Sequence, residues 1–378
     1  MKSLPEILVS KLKTRKENNS FRVLDSEKEL IDFSSNDYLG FASNQEIKIC
    51  TEKILSKEKF INGSTGSRLV SGTHNLHNEV EGYLANYHNS EAALLYNSGY
   101  DANIGLFSSV LQKGTTVLYD ELIHASIRDG IRMSNAKSYK FKHNSVEDLQ
   151  AKFSRCKGPV FIVVESVYSM DGDSAPLMEL VGFSQNNNCY LIVDEAHSGG
   201  VFGDKGEGLL QELDLENEVF ARIHTFGKAL GCHGAVVLGN NDLRSYLINF
   251  SRSFIYTTAA SLHSIATIKA SYLNLETTKA ILILKNKISF FKKCLQNYNI
   301  QNTFTPSESA VQCCVINGNN QVKRVARLIE ENGFSVKAIL SPTVPEGEER
   351  LRICLHAFNS NEEIQKLVEC LSNSISRD

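Results

Sequence analysis

The run "CYLIVDEAHSGG", residues 189–200, decides how this chain is read. An unbroken apolar run from Tyr190 to Val193 stops abruptly at Asp194 and Glu195, with His197 and two glycines just beyond. A strand with one wet face alternates apolar and polar residues. An unbroken run suits a strand buried on both faces, as in a parallel sheet covered by helices. The flanking sequence repeats the pattern: "AALLYN" (92–97), "TTVLYD" (115–120), "PVFIVVES" (159–166), "ARIHTF" (221–226) and "GAVVLG" (234–239) are short runs rich in Val, Ile and Leu. Helix-compatible stretches such as "NEVEGYLANY", "SVEDLQAKF" and "PLMELVGFSQNN" separate several of them. The alternation predicts an α/β fold with a largely parallel sheet flanked by helices. In such sheets, reactive groups collect where strands end and loops begin.

Outside this core the texture changes. From about residue 275, "LNLETTKAILILKNKISFFKKCLQNY" reads as one long amphipathic helical stretch. Strand candidates "AVQCCVI" and "SVKAIL" follow, then a final helix "NEEIQKLVECLSNS". The expected organisation is an N-terminal segment over 1–44, a large domain over 45–274 and a smaller α+β domain over 275–378. The first residues, "MKSLPEILVSKLKTRKENNS", lack the apolar core and small-residue cleavage site of a signal peptide and read as a short amphipathic helix.

With 378 residues, 42% hydrophobic and 22% charged, the composition is that of an ordinary globular enzyme. A net charge of −3 gives no global basic field to hold nucleic acid or an anionic membrane. No apolar run approaches the roughly 20 residues that span a bilayer. Nine cysteines without a Cys-x-x-Cys pair fit buried thiols in a reducing cytoplasm better than disulfides or zinc, so no metal is expected.

Three segments at predicted strand ends carry candidate chemistry. In "LLYNSGYDANIGLF" (94–107) a strand passes through Ser-Gly-Tyr into a helix whose N-terminal N–H groups can hold an anion such as phosphate. In "YLIVDEAHSGGVFG" (190–203) Asp194 can pair with a cationic ring nitrogen, and His197 can hydrogen-bond a phenolate oxygen. In "IHTFGKALG" (223–231) Lys228 lies in a small-residue, mostly apolar run without a carboxylate. Such surroundings favour the neutral amine, which can attack a carbonyl. The competing readings are a simple turn, a capping Asp with a packed His, and a lysine that snorkels to solvent. Taken together, a phosphate site, a carboxylate for a pyridinium and a nucleophilic lysine suit pyridoxal 5′-phosphate. His124, in "YDELIHASIRDG", follows another strand and could stack on the ring.

"FSSNDYLGFASN" (33–44), "GSTGSRLVSGTHNLHNEVE" (63–81), "SVYSMDGDSAPL" (166–177), "VDEAHSGGVFG" (193–203) and "TFGKALG" (225–231) resemble, in order, the signatures of the α-oxoamine synthase family of fold-type I pyridoxal-phosphate enzymes. The resemblance implies that Lys228 carries the cofactor and that Asp194 pairs with its ring nitrogen. His197 and Ser169 would contact the phenolic oxygen, and His124 would stack on the ring. Gly99, Tyr100 and Thr225 would hold the phosphate. It also implies a homodimer with interfacial sites, to which "IYTTAAS" (255–261) of the neighbouring subunit contributes. Family members join an amino acid to an acyl thioester with loss of carbon dioxide.

An arginine gripping the amino acid's carboxylate in a bidentate fork would orient the reacting bond. Arg350 and Arg352 both lie in "LSPTVPEGEERLRICLHAFN" (340–359), and strand alternation puts them on one face, so periodicity cannot choose between them. The resemblance favours Arg352, leaving Arg350 as a salt-bridge residue. "PTVPEGEERLRI", "GSRLVSG" and "IYTT" are most similar to the branch that joins L-alanine to a pimeloyl thioester, on coenzyme A or an acyl carrier protein, in biotin formation. That similarity implies substrate contacts from Asn36, His124, Thr343 and Arg22, with Arg15 an alternative to Arg22. Thr65 stands where that branch often has a second glycine. Glycine-using relatives and a catalytically silent partner subunit are the alternatives; silence would be expected to remove Lys228 or Asp194, and both are present.

Overall fold

The computed structural model describes residues 2–24, 29–59 and 61–375. They form two compact units. The larger comprises Asn36–Ser169 and Asp173–Lys285; the smaller takes the chain before Asn36, Met170–Gly172 and the chain from Asn286 onward.

The strands, in chain order, begin with the short β1 (Ile31–Asp32) of the smaller unit. The larger unit then supplies β2 (Ala92–Tyr96), β3 (Thr116–Asp120), β4 (Lys137–Phe141), β5 (Val160–Glu165), β6 (Tyr190–Asp194), β7 (Ala221–Thr225) and β8 (Ala235–Gly239). These seven form one sheet in the order β2-β8-β7-β6-β5-β3-β4. Only β8 runs against its neighbours; the β3–β4, β3–β5, β5–β6 and β6–β7 pairs are parallel. Every residue of β2 and β5 is buried, as their unbroken apolar runs require. The first five helices are α1 (Glu6–Glu17), α2 (Gln45–Leu55), α3 (Asn75–Tyr87), α4 (Gly99–Val110) and α5 (Ala125–Met133). Leu106 and Phe107 of α4 and Ile127 and Ile131 of α5 bury their side chains with Val117, Val163 and Ile192 of the sheet in one apolar core.

The smaller unit pairs β1 in parallel with β10 (Phe334–Ser335) and builds a three-stranded antiparallel sheet from β9 (Val311–Val315), β11 (Lys337–Ile339) and β12 (Arg350–Cys354), with β12 in the middle. The fold is thus the expected one, a large mostly parallel sheet with a second, smaller α+β unit.

Three local expectations need correction. The edge strand β4, "KSYKF", was not among the expected strands: its first four residues are exposed, so it lacks the apolar run by which the others are read, and its lysines suit an unpaired edge. The long helical stretch from 273 to 298 is broken. One helix ends at Leu275 and another starts at Ala280, where the Thr278 hydroxyl accepts the Ala280 N–H at 3.1 Å. Finally, α1 is a helix, but its apolar residues do not gather on a buried face: Ile7, Leu8, Val9 and Leu12 are all exposed.

Among the described residues no helix is long and apolar enough to cross a membrane. None of the nine cysteines forms a disulfide among the described residues, and Cys232, Cys294, Cys313, Cys314 and Cys354 are buried.

Candidate active site

Because β2, β3, β5, β6 and β7 run the same way, their carboxyl ends share one edge of the sheet, and each hands the chain to a turn bearing polar side chains. One cavity in the larger unit, with about 550 Å³ of space between atoms, is lined by Gly99, Tyr100, His124, Asp194, His197, Thr225 and Lys228. Seven residues singled out from four separate segments therefore share a single hollow.

Each is fixed by local structure. Ser98 caps α4 by accepting the Asp101 N–H at 3.1 Å, which leaves the Gly99 and Tyr100 N–H groups at the open end of the helix. A Cβ on Gly99 would come within 3.2 Å of the Thr225 hydroxyl, so the glycine keeps that corner clear. Asp194 receives Asn103 Nδ2–H on one oxygen at 2.9 Å and the Ala196 N–H on the other at 3.0 Å. Asn103 also donates to the Ser126 hydroxyl at 3.0 Å, and Ser126 lies 2.7 Å from His124 Nδ1. A continuous hydrogen-bonded chain thus runs from the aspartate to the histidine that caps α5. Burial lowers the His124 pKa; Asp194 pulls it the other way, and Lys228 adds to the lowering. The Tyr38 hydroxyl sits 2.7 Å from His197 Nδ1 and 3.2 Å from Asn36 Oδ1, which links Asn36 to the cavity wall through two side chains.

Lys228 lies in the turn between β7 and β8, closed by Phe226 N–H to Gly234 O and by Cys232 N–H to Phe226 O, both at 2.9 Å. Ser169 is buried in the turn after β5 and does not line the cavity. The remaining candidates belong to the smaller unit. There Arg22 Nη2 reaches the Thr343 hydroxyl at 3.4 Å, so these two, 321 positions apart, are neighbours. Arg350 is held by Asp171 and by the Glu348 carboxylate at 3.4 Å, and it donates to the Glu348 carbonyl at 2.9 Å. Arg352, opposite Cys313 in the sheet, has Nη1 3.1 Å from Cys354 Sγ.

Sequence reasoning missed Asn103, Ser126 and Glu165, which also line the cavity. Asn103 was legible in principle, being four residues after Gly99 on one helix face. Glu165 ends β5 in register with Asp194. Burial pushes its carboxyl up to about 8, with the Asp194 charge adding and Lys228 opposing.

Whether these residues fit pyridoxal phosphate is tested by the donors they present. The helix end with Thr225 offers hydrogen bonds to a phosphate, Lys228 an amine to an aldehyde, and Asp194 a firmly oriented carboxylate to a ring nitrogen. Asn103 Oδ1 and Glu165 Oε1 are buried without a hydrogen-bond partner beside the same cavity. The set fits.

The aminotransferase class I and II family model matches residues 28–371. The chain is 42% identical over 369 residues to an 8-amino-7-oxononanoate synthase of Emericella nidulans, covering 92% of this chain and 90% of the relative. It is 33% identical over 365 residues to one of Lysinibacillus sphaericus, covering 96% and 92%. Among solved structures, it resembles 8-amino-7-oxononanoate synthase of Francisella tularensis (TM-score 0.80, 29% identity, 93% of this chain and 99% of that one). It also resembles the serine palmitoyltransferase of S. paucimobilis solved with a bound PLP–myriocin adduct (TM-score 0.89, 26% identity, 98% and 97%). With the sheet order, the polar edge and these likenesses in agreement, the chain belongs to the aminotransferase class I and II family and, within it, to the α-oxoamine synthases.

Proposed function

We propose that the chain is a pyridoxal-phosphate-dependent acyltransferase that condenses L-alanine with a pimeloyl thioester. The products are 8-amino-7-oxononanoate, carbon dioxide and the free thiol, as in biotin biosynthesis. The observation that carries this reading is the single cavity lined by Lys228, Asp194, His124, His197, Gly99 and Thr225, in a chain whose relatives bear that activity's name over nearly their full length. A homodimer working in the cytoplasm, with coenzyme A or an acyl carrier protein bearing the thioester, belongs to the same reading.

When bound, pyridoxal phosphate supplies a ring that draws negative charge away from the substrate's α-carbon. The protein's own groups do the rest. Gly99, Tyr100 and Thr225 hold the phosphate, and Asp194, steadied by Asn103 and Ala196, holds the proton of the ring nitrogen. His197 serves the phenolic oxygen, where the family resemblance also assigns Ser169, while His124, which caps α5 and is tied to Asp194 through Ser126 and Asn103, faces the ring. The Lys228 amine anchors the cofactor and then moves the proton at the amino acid's α-carbon. The family resemblance assigns Arg352 to the alanine carboxylate, and Arg350 is paired with Asp171 and Glu348, as a salt-bridge arginine would be. Arg22 and Thr343, which touch each other, are assigned with Asn36 to substrate.

A substrate matrix tests the reading. Alanine, glycine or serine would be supplied with pimeloyl-, acetyl-, succinyl- or palmitoyl-thioesters while thiol release is followed. Alanine with pimeloyl is expected to turn over fastest. Faster release from glycine with acetyl or succinyl, or from serine with palmitoyl, would move the chain to another branch, and no release with any pair would make it a silent subunit.

A further inference from the structure

Away from the cavity, the larger unit contains a histidine clamped between two carboxylates. His143 follows β4. Its Nδ1 lies 3.0 and 3.1 Å from the two oxygens of Asp120, and its Nε2 lies 2.8 Å from Asp173 Oδ2. With a carboxylate facing each ring nitrogen, both nitrogens must donate, so the ring is a cation. Its neighbour Asn144 repeats the arrangement, giving its backbone N–H to Asp120 at 2.8 Å and its side-chain amide to Asp173 at 2.8 Å. The Tyr168 ring packs nearly perpendicular to the imidazole, with ring centroids 4.5 Å apart.

The two carboxylates sit at the roots of two turns that serve the cavity. Asp120 is fully buried at the end of β3, and its side chain and carbonyl accept the Leu122 and Ile123 N–H groups, shaping the turn that reaches His124. The Asp173 backbone carbonyl closes the turn after β5 by accepting the Tyr168 N–H at 2.9 Å, one residue before Ser169.

We propose that His143 is a positioning residue for the cofactor site: as an imidazolium between Asp120 and Asp173 it ties the turn presenting His124 to the turn carrying Ser169. This rests on the roles given above to His124 and Ser169. Burial works against the charged ring, but the two carboxylates outweigh it and push its pKa up to about 10. The other titratable groups facing the clamp are Glu121, whose carboxylate accepts the His143 N–H, and Tyr168, whose phenol burial raises well above its ordinary value. The Tyr168 phenol keeps its proton between pH 7 and 10.

The test uses full-length protein stripped of cofactor and titrated with pyridoxal phosphate, its affinity read from cofactor absorbance. His143→Gln is expected to weaken binding at least about tenfold, the scale of one charge-assisted hydrogen bond. Asp173→Asn should weaken it several-fold, and the double variant should be no worse than His143→Gln alone, because both remove one clamp. The wild-type advantage over His143→Gln should be flat from pH 7 to 9 and disappear above about pH 10 as the ring loses its proton. Wild-type affinity in His143→Gln, multiplicative single effects, or an advantage unchanged past pH 10 would each overturn the clamp. Should His143→Gln not fold, Asp173→Asn decides alone, and unchanged affinity there overturns it equally. Wild-type protein that takes up no cofactor would sink the reading of the site and this proposal with it, an outcome distinct from wild-type uptake without a difference in the variants.

Discussion

Glu165 and Asp194 stand side by side at the ends of adjacent parallel strands, yet the protein treats them differently. Asp194 receives two N–H donors, whereas Glu165 Oε1 receives none and its carboxyl is pushed up to about 8. A carboxyl raised in the folded state binds more protons there than in the unfolded chain. Its stabilising effect is therefore full below its unfolded pKa of about 4.3 and fades as the pH rises toward 8. Cofactor-free wild-type protein should accordingly lose stability relative to Glu165→Gln by up to about 1.4 kcal/mol per pH unit across pH 5–8. Urea unfolding of both proteins at several pH values measures this, and parallel pH profiles would show that Glu165 does not titrate there. At the same scale, borohydride reduction of cofactor-loaded protein followed by peptide mapping should place the pyridoxyl label on Lys228. Lys228→Ala should carry no label, with turnover down by at least about a hundredfold, as for loss of an acid–base group. A label on another lysine would reassign the anchor.

At the scale of elements, the turn between β7 and β8 holds Lys228 by its glycines as much as by its hydrogen bonds. Gly231 has φ of +62°, and a Cβ there would lie 2.2 Å from the Ala42 nitrogen. Gly231→Ala should therefore cost about 2–4 kcal/mol of stability, strain and clash combined. Gly82, inside α3, faces open space, so Gly82→Ala should be neutral or stabilise by up to about 1 kcal/mol. Thermal unfolding of the pair distinguishes a glycine the turn requires from one the helix merely tolerates; equal shifts would refute the assignment. Elements also mark where reading sequence works. The six apolar strands are legible because burial on both faces demands continuous Val, Ile and Leu. The edge strand β4 is not, because an exposed edge is built from residues that also suit a loop.

At the scale of the molecule, the surface of the larger unit exposes Leu69, Val70 and Tyr256, the last within the segment that the family resemblance assigns to the partner's site. If sites form between two copies, sedimentation should give a dimer at assay concentration, and specific activity should fall in step with the dimer fraction on dilution. A fully active monomer would remove the interfacial site from the reading.

The sequence by itself determined the parallel sheet, the edge on which chemistry gathers and the identity of most candidate cofactor residues, because strand periodicity and the residues just past each apolar run are local properties. Tertiary structure alone decided the rest. It brought Gly99, His124, Asp194 and Lys228 to one cavity, added Asn103 and Glu165, and committed Arg350 to Asp171 where alternation left two arginines equivalent. It also set His143 between Asp120 and Asp173. Partners tens to hundreds of positions apart meet only when strand order and direction fix which chain ends are neighbours, and no local pattern encodes that order.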